Sequence, residues 1–139
     1  MPNDMYELFA LIPSTSDFSI DGAVAHFDTL TFGKTRLRSE AIRAEGHEPV
    51  QGFRVHYEDW SITAWLDESA GVIADSQHLA AQEPLPTDHD AIARCSKRLS
   101  IISDEDPELN HSDEITHFTD ALRKLNRLFV WDPVNAEWW

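Results

Sequence analysis

The residues of this chain that are best suited to chemistry are acidic, and they lie together in the segment ISDEDPELNHSDE at positions 102–114. Six carboxylates fall within eleven positions, with His111 between them. They are Asp104, Glu105, Asp106, Glu108, Asp113 and Glu114. A segment of this kind can bind a metal ion, supply acid–base catalysts, contact a basic partner, or simply lead into a helix. Each of these uses requires a different spacing of the acids.

A calcium loop of the EF-hand type is excluded by two positions. Asp104, Asp106 and Glu108 alternate as the first ligands of such a loop do. The loop then requires Gly at its sixth position and Glu at its twelfth. Those positions hold Leu109 and Ile115. An irregular divalent-ion site is a minor alternative, and we expect no metal ion.

Zinc and hydrolytic sites find little support in the spacing either. Asp113, His117 and Asp120 can share one stripe of a helix, but the seven histidines form no H-x-x-x-H pair. A local His–Asp contact is the favoured interpretation. With 25 acids in the chain, some pair of carboxylates will have a spacing that suits catalysis by chance, so the presence of such a pair has almost no specificity. The sequence contains no G-x-S-x-G, Walker-type or G-x-G-x-x-G motif. We therefore expect no cofactor and favour a non-enzymatic protein.

A helix start explains only the second half of the acidic segment. Ser112 can cap a following helix, and Asp113 and Glu114 would lie in its first turn, where acids favour the positive end of the dipole. The front half, Asp104 to Glu108, precedes the helix and is not explained in this way. It is either a solubilising surface or a surface for a basic partner.

The distribution of charge favours a basic partner. The net charge is −14, and Lys and Arg are absent from 1–33, 55–93 and 99–122. Free nucleic acid is a poor partner for such a chain, because phosphate binding needs cations. An anionic membrane surface is disfavoured for the same reason. A basic protein is attracted by complementary potential. The plainer alternative is an acidic soluble protein without such a partner.

The leading hypothesis is therefore a non-enzymatic acidic protein that binds and neutralises a basic protein. A bacterial immunity protein against a toxin would have these properties. Trp138 and Trp139 end the chain and are either apolar anchors for the partner or contacts between copies of this chain. The predicted partner-binding residues are Asp104, Glu105, Asp106, Glu108, Trp138 and Trp139.

The elements that would position these residues follow from periodicity. We predict strands at 5–12, 35–45, 50–57, 60–66 and 97–102, with a last strand in RLFVW, and helices at 18–30, 69–82, 87–95 and 112–125. Gly33 is expected to stop the first helix. Val72, Ile73, Leu79 and Ala80 are expected to face inward from the second. Residues 35–45 also suit a helix. Cys95, the single cysteine, is expected to be half-buried and structural.

These elements predict one α+β domain over 1–139, with a mainly antiparallel sheet and helices packed on one face. LFALIP…AVAHFDTL and RLSIIS…EITHFTDAL both read as strand, loop and helix with a His-Phe pair, which suits a ferredoxin-like arrangement. The N-terminus lacks the positive region of a signal peptide, and no apolar run is long enough to cross a bilayer. A cytoplasmic location is the default expectation.

Two alternative functions stay open. A small-molecule-binding or hydrolytic protein would use a pocket on the sheet face near Arg54, His56 and Trp65, where basic, titratable and aromatic groups converge. A nucleic-acid mimic would instead present regularly spaced acids to the basic groove of a partner.

Overall fold

A computed structural model describes residues 5–44, 50–82, 86–108 and 110–139. The strands are β1 (Glu7–Ile12), β2 (Thr31–Phe32), β3 (Thr35–Arg36), β4 (Arg38–Ala44), β5 (Val50–Tyr57), β6 (Trp60–Asp67), β7 (Lys97–Ser103), β8 (Phe129–Asp132) and β9 (Glu137–Trp138). The helices are α1 (Ile20–Phe27), α2 (Gly71–Ala80), α3 (Pro86–Ala93) and α4 (Ser112–Leu125). The predicted α+β class is confirmed, and within 35–44 the chain forms strands β3 and β4, whereas residue 45 lies outside the described residues.

Seven of these strands form one sheet in the order β4-β5-β6-β7-β1-β8-β9, and β2 and β3 form a separate hairpin. Each neighbouring pair in the large sheet is antiparallel. In a ferredoxin-like arrangement each βαβ unit is split, so an antiparallel strand lies between the two parallel strands that the helix joins. Here β1 lies between β7 and β8 and is antiparallel to both. This is the split βαβ order, so the strands β6-β7-β1-β8 are compatible with a ferredoxin-like arrangement, and β4, β5 and β9 extend the sheet.

One face of the sheet carries the main core, and α1 and α4 cover it. Strand residues with period-two spacing, such as Phe53 and Val55, point to this face, as the sequence predicted. Phe118 of α4 stacks on Phe27 of α1 with ring centroids 5.0 Å apart. The two strand–helix segments noticed in the sequence, β1–α1 and β7–α4, thus lie side by side, with their helices on the same face.

The opposite face is also covered in part, which corrects the expectation of helices on one face. Leu11 points away from the main core and packs with Ala80 of α2, Ile92 of α3 and Cys95. Burial raises the pKa of the Cys95 thiol to about 11. In α2, Ile73 is 41% exposed, so its predicted inward position is wrong.

Two predicted helix ends are also corrected. Gly33 does not stop α1 but forms the β2–β3 turn, where its φ of 60° suits a residue without a Cβ. The residue that precedes the first turn of α4 is His111, and Ser112 is already helical, so Ser112 is not the cap. Among the described residues, no helix is long and apolar enough to cross a membrane.

Candidate functional site

The acidic segment is a folded loop organised around a buried carboxylate. Asp106 is 1% exposed. It accepts hydrogen bonds from Tyr6 Oη at 2.8 Å, Asn110 N at 3.0 Å and His111 N at 2.9 Å. Burial by itself would raise the pKa of Asp106, but these hydrogen bonds outweigh burial and lower it. Asp106 therefore holds the loop, and its predicted role as a partner-contacting residue is corrected by its burial.

Asp104 fixes the start of the same loop to strand β6. Its Oδ2 accepts hydrogen bonds from the backbone N of Ser61 at 2.8 Å and from the Ser61 hydroxyl at 2.9 Å. Trp60 Nε1 donates to the backbone oxygen of Glu105 at 3.1 Å. The loop is thus tied to the β5–β6 hairpin, and its exposed acids stand next to the acids of the hairpin turn.

A second polar group lies beneath the loop at the start of α4. His111 Nδ1 is hydrogen-bonded to Glu114 Oε2. The His111 ring stacks on Trp60, with centroids 4.6 Å apart and an interplanar angle of 10°. Glu114 is only 8% exposed, although it is a first-turn acid. Its burial between the loop and the hairpin was not predicted from the sequence.

Tyr57 and His117 complete this group. The Tyr57 hydroxyl and His117 Nδ1 are 2.8 Å apart. Burial, together with the charge of Glu114, raises the pKa of Tyr57 well above its usual range. Burial lowers the pKa of His117, which also bonds to the backbone of Thr31. Both side chains therefore favour their neutral forms, and the negative charge in this region resides on the carboxylates.

These elements enclose a cleft of about 310 Å³ between the β2–β3 hairpin, the β5–β6 turn and the start of α4. Its lining includes Phe32, Tyr57, Glu58, Asp59, His111 and Glu114. Glu58 and Asp59 are exposed, so they lie at the mouth, whereas Tyr57 and Glu114 are buried and lie deeper. The cleft thus has aromatic walls and carboxylates at two depths, and no lysine or arginine is among the described residues that line it.

Exposed carboxylates lie in the β5–β6 turn, in the acidic loop and in the first turn of α4, and each of these segments also contributes a residue to the cleft lining. We define the acidic end of the molecule by Glu58, Asp59, Asp104, Glu105, Glu108 and Asp113, all of which are exposed. Within the described ranges, none of them lies within 4.0 Å of a cationic group. By contrast, Asp21, Asp75 and Asp88 are each paired with an arginine. The β2–β3 hairpin brings Lys34 and Arg36 to the same region, yet neither forms an ion pair with a described carboxylate.

A second cavity, of about 350 Å³, lies at the other end of the sheet beside the β1–α1 loop. Arg43 and Lys97 line it. Arg43 is 2.9 Å from Asp21, and Lys97 is 3.5 Å from Glu68. Charges of both signs are thus compensated there, unlike at the acidic end.

The two C-terminal tryptophans lie apart from the acidic loop. Trp138 is paired with Trp131 in the β8–β9 ladder and packs on the Leu11 cluster. Trp139 is 41% exposed, and its Nε1 lies 3.3 Å from Asp132 Oδ2. Three strand spacings, roughly 14 Å, separate β9 from β7, which leads into the loop. Of the pair, Trp139 offers the larger accessible surface.

Arg54, His56 and Trp65 lie on the sheet face away from α1 and α4. Arg54 Nε donates to Thr63 Oγ1 at 3.0 Å, and His56 Nε2 is 3.6 Å from Glu40 Oε1. Trp65 lies against Gly52. None of the three lines either cavity described above. They share a face of the sheet, as predicted, but their side chains are engaged with neighbouring strands.

No group of three His, Cys, Asp or Glu side chains in the described part of the chain is arranged to hold a metal ion.

The cleft residues Phe32, Tyr57 and Glu114 were not recognised in the sequence. Their positions are 32, 57 and 114, so no local spacing connects them.

Comparison of the chain with protein-family models, with curated proteins and with solved structures gives no significant match.

Proposed function

We propose that this protein binds a basic protein partner through its acidic end and neutralises that partner's activity without catalysing a reaction. The observation that carries the proposal is the group of six exposed carboxylates that have no cationic partner among the described residues. Like charges held close together repel one another. A cationic surface that approaches them relieves this repulsion, so the acidic end gains most from a partner rich in Lys and Arg.

The way the loop is held supports a binding role. Asp106 and Asp104 fix the loop from below and from the side, through the hydrogen bonds to Tyr6 and Ser61. The exposed acids therefore stand on a backbone that is already ordered. Binding through a preorganised loop loses less conformational entropy than binding through a disordered one.

The charge of the whole chain supports rapid association. A net charge of −14 attracts a cationic protein over distances of about one Debye length, roughly 8–10 Å at physiological salt. Such steering raises association rates and rejects acidic surfaces. An immunity protein that must capture a toxin before it acts would benefit from both effects. The proposed class is therefore an acidic inhibitor or immunity protein.

A charge-reversal experiment tests the binding role. Glu105→Lys plus Glu108→Lys changes two exposed side chains that make no described side-chain hydrogen bond. The matched control, Asp90→Lys plus Glu137→Lys, changes the net charge equally but lies outside the acidic end. Immobilised wild-type, acidic-end and control proteins are exposed to lysate of the native cell, and the recovered proteins are identified.

We expect a basic protein that the wild type and the control retain and that the acidic-end variant loses. The rate at which this basic protein associates with the wild type should fall steeply between 50 and 500 mM salt, because salt screens the attraction between exposed charges. Equal recovery on all three would contradict the role of the acidic end. The neutralising role requires in addition that the recovered protein harm cells when it is expressed alone and not when it is co-expressed with this chain.

A further inference from the structure

The cleft beneath the acidic loop combines features that a general acidic surface does not have. Phe32 and Tyr57 form part of its wall, and their rings meet edge to face with centroids 5.6 Å apart. Glu58 and Asp59 stand at its mouth. Glu114 lines it from below and is 8% exposed. This is a concave site with aromatic and anionic groups at successive depths.

Glu114 is the most informative of these groups. His111 Nδ1 bonds its Oε2, and among the described residues no group is hydrogen-bonded to its Oε1. This oxygen is not among the buried side-chain atoms that lack a partner, so it is accessible from the cleft. Because the side chain lines the cleft, a hydrogen-bond donor that enters the cleft can reach that oxygen. The cleft is therefore suited to a ligand that donates hydrogen bonds and carries positive charge.

A guanidinium group fits this combination better than an ammonium ion. It is planar, stacks on aromatic rings, and donates hydrogen bonds along two edges, so it can meet a carboxylate and an aromatic wall together. An ammonium ion is compact and strongly hydrated, and it loses more hydration in a narrow site. The volume of about 310 Å³ is at the lower end of the range for small-molecule pockets, about 300–1,000 Å³. A single side chain matches it better than a larger ligand.

We propose that the cleft between Tyr57, Asp59 and Glu114 receives an arginine side chain of the basic partner. This inference rests on the proposed function, since it assigns the anchor residue of the partner that the acidic end attracts. The exposed acids of the acidic end attract the partner, and the cleft selects arginine over other side chains at one position of that partner. Arginine is a frequent hot-spot residue in protein interfaces, where it fills pockets near the centre of the contact.

The test uses free amino-acid derivatives, so it does not depend on knowing the partner. Arginine, lysine and citrulline, each blocked at both ends, are titrated into the isotope-labelled protein and followed by NMR. Citrulline has nearly the shape of arginine but no charge. The reporters are the Trp60 indole N–H, which donates to Glu105 beside the cleft, and the backbone amides of His111 and Glu114.

We expect blocked arginine to shift these signals with a dissociation constant on the order of millimolar, as a single side chain allows. Blocked lysine should bind at least threefold more weakly, and citrulline should produce no saturating shift. Glu114→Gln and, separately, Asp59→Asn should each weaken arginine binding, Glu114→Gln by about tenfold. Glu108→Gln, outside the cleft lining, should change it less than twofold. The Asp59→Asn variant keeps the test decisive if Glu114→Gln disturbs folding, because Asp59 is exposed in a turn.

Equal shifts by arginine and citrulline, or equal affinity for arginine and lysine, would overturn the assignment of an arginine site. Arginine-induced shifts that avoid the cleft signals would also overturn it. None of these results affects the proposed function, which fails only if the Glu105→Lys plus Glu108→Lys variant still retains the basic partner. Conversely, the variant could still retain the basic partner while blocked arginine binds in the cleft. That result would support the arginine site and contradict the role of the exposed acids of the acidic end.

Discussion

Replacement of Asp106 by alanine should destabilise the protein strongly, although the residue belongs to a segment that reads as a solvated acidic loop. Its carboxylate accepts three hydrogen bonds, from Tyr6 Oη, Asn110 N and His111 N, at 2.8–3.0 Å. Each hydrogen bond to a charged group contributes about 1.5–3 kcal/mol. The two backbone N–H groups can regain water if the loop opens, so the net loss is smaller than the sum. We expect about 3 kcal/mol, against a free energy of unfolding of about 5–15 kcal/mol for a small folded protein.

Thermal unfolding at pH 7, followed by far-UV circular dichroism, measures this loss. The unfolding entropy of a 139-residue chain is about 0.3 kcal/mol/K, so Tm should fall by about 10 °C. Tyr6→Phe removes one of the three donors and should lower Tm by about 3–5 °C. Glu108→Gln, an exposed neighbour without a described side-chain hydrogen bond, is the control and should shift Tm by less than about 2 °C.

Two results would contradict the assigned role of Asp106. The first is a Tm of Asp106→Ala that matches the Tm of Glu108→Gln. The second is strict additivity of Tyr6→Phe and Asp106→Ala in the double mutant. The two substitutions remove the same hydrogen bond, so the double mutant should lose less than the sum of the single effects, by about 1 kcal/mol.

Further predictions concern the sheet, the thiol and the response to pH. A Cβ added at Gly52 would clash with the backbone oxygen of Ala64 in β6 and lie 2.9 Å from Trp65 Cε3, so Gly52→Ala should cost about 1–3 kcal/mol in urea unfolding; an unchanged midpoint would contradict this clash. Cys95 is buried and its pKa is raised to about 11, so a thiol reagent at pH 8 should react with it in denaturant and only slowly in the native protein. Burial and the hydrogen bond to Asp106 raise the pKa of Tyr6 to about 12, so this group's stabilisation is complete below pH 10 and is lost as the pH rises through 12. Tyr6→Phe should reduce the loss of stability at alkaline pH, and an unchanged profile of stability against pH in that variant would contradict the role of the Tyr6–Asp106 hydrogen bond. Hydrogen bonds lower the pKa of Asp106, so the stabilisation by its carboxylate is present above the unfolded pKa and is lost as the pH falls through the lower folded pKa.

Periodic hydrophobicity predicted much of the fold correctly. The helix proposed at 112–125 is α4 with the same bounds. The hairpin of β5 and β6 has the predicted faces, with Phe53 and Val55 inward and Arg54 and His56 outward. These predictions succeed because the period of a strand or helix is a local property, and burial of one face imposes it on the sequence.

The exposure assumed for the acidic segment was wrong at two residues, for a reason that composition cannot supply. Acids were counted as exposed because they are charged, yet Asp106 and Glu114 are buried. Asp106 accepts a hydrogen bond from Tyr6, which lies a hundred positions away in the sequence, and Glu114 is hydrogen-bonded to His111. A carboxylate is buried where enough donors converge on it, and that convergence is set by the packing of β1 against β7 and of the loop against β6.

The sequence by itself determined the class of fold, most element positions, the excess of acid and the exclusion of an EF-hand. The tertiary structure alone decided which acids face the solvent, which acid holds the loop, and that Phe32, Tyr57 and Glu114 share a cleft. It also decided the register that aligns Trp65, Ser100, Phe9 and Trp131 across four neighbouring strands. The physical reason is the range of the interactions involved. Periodicity and charge are written along the chain, whereas hydrogen-bond satisfaction and strand register depend on partners that folding brings together.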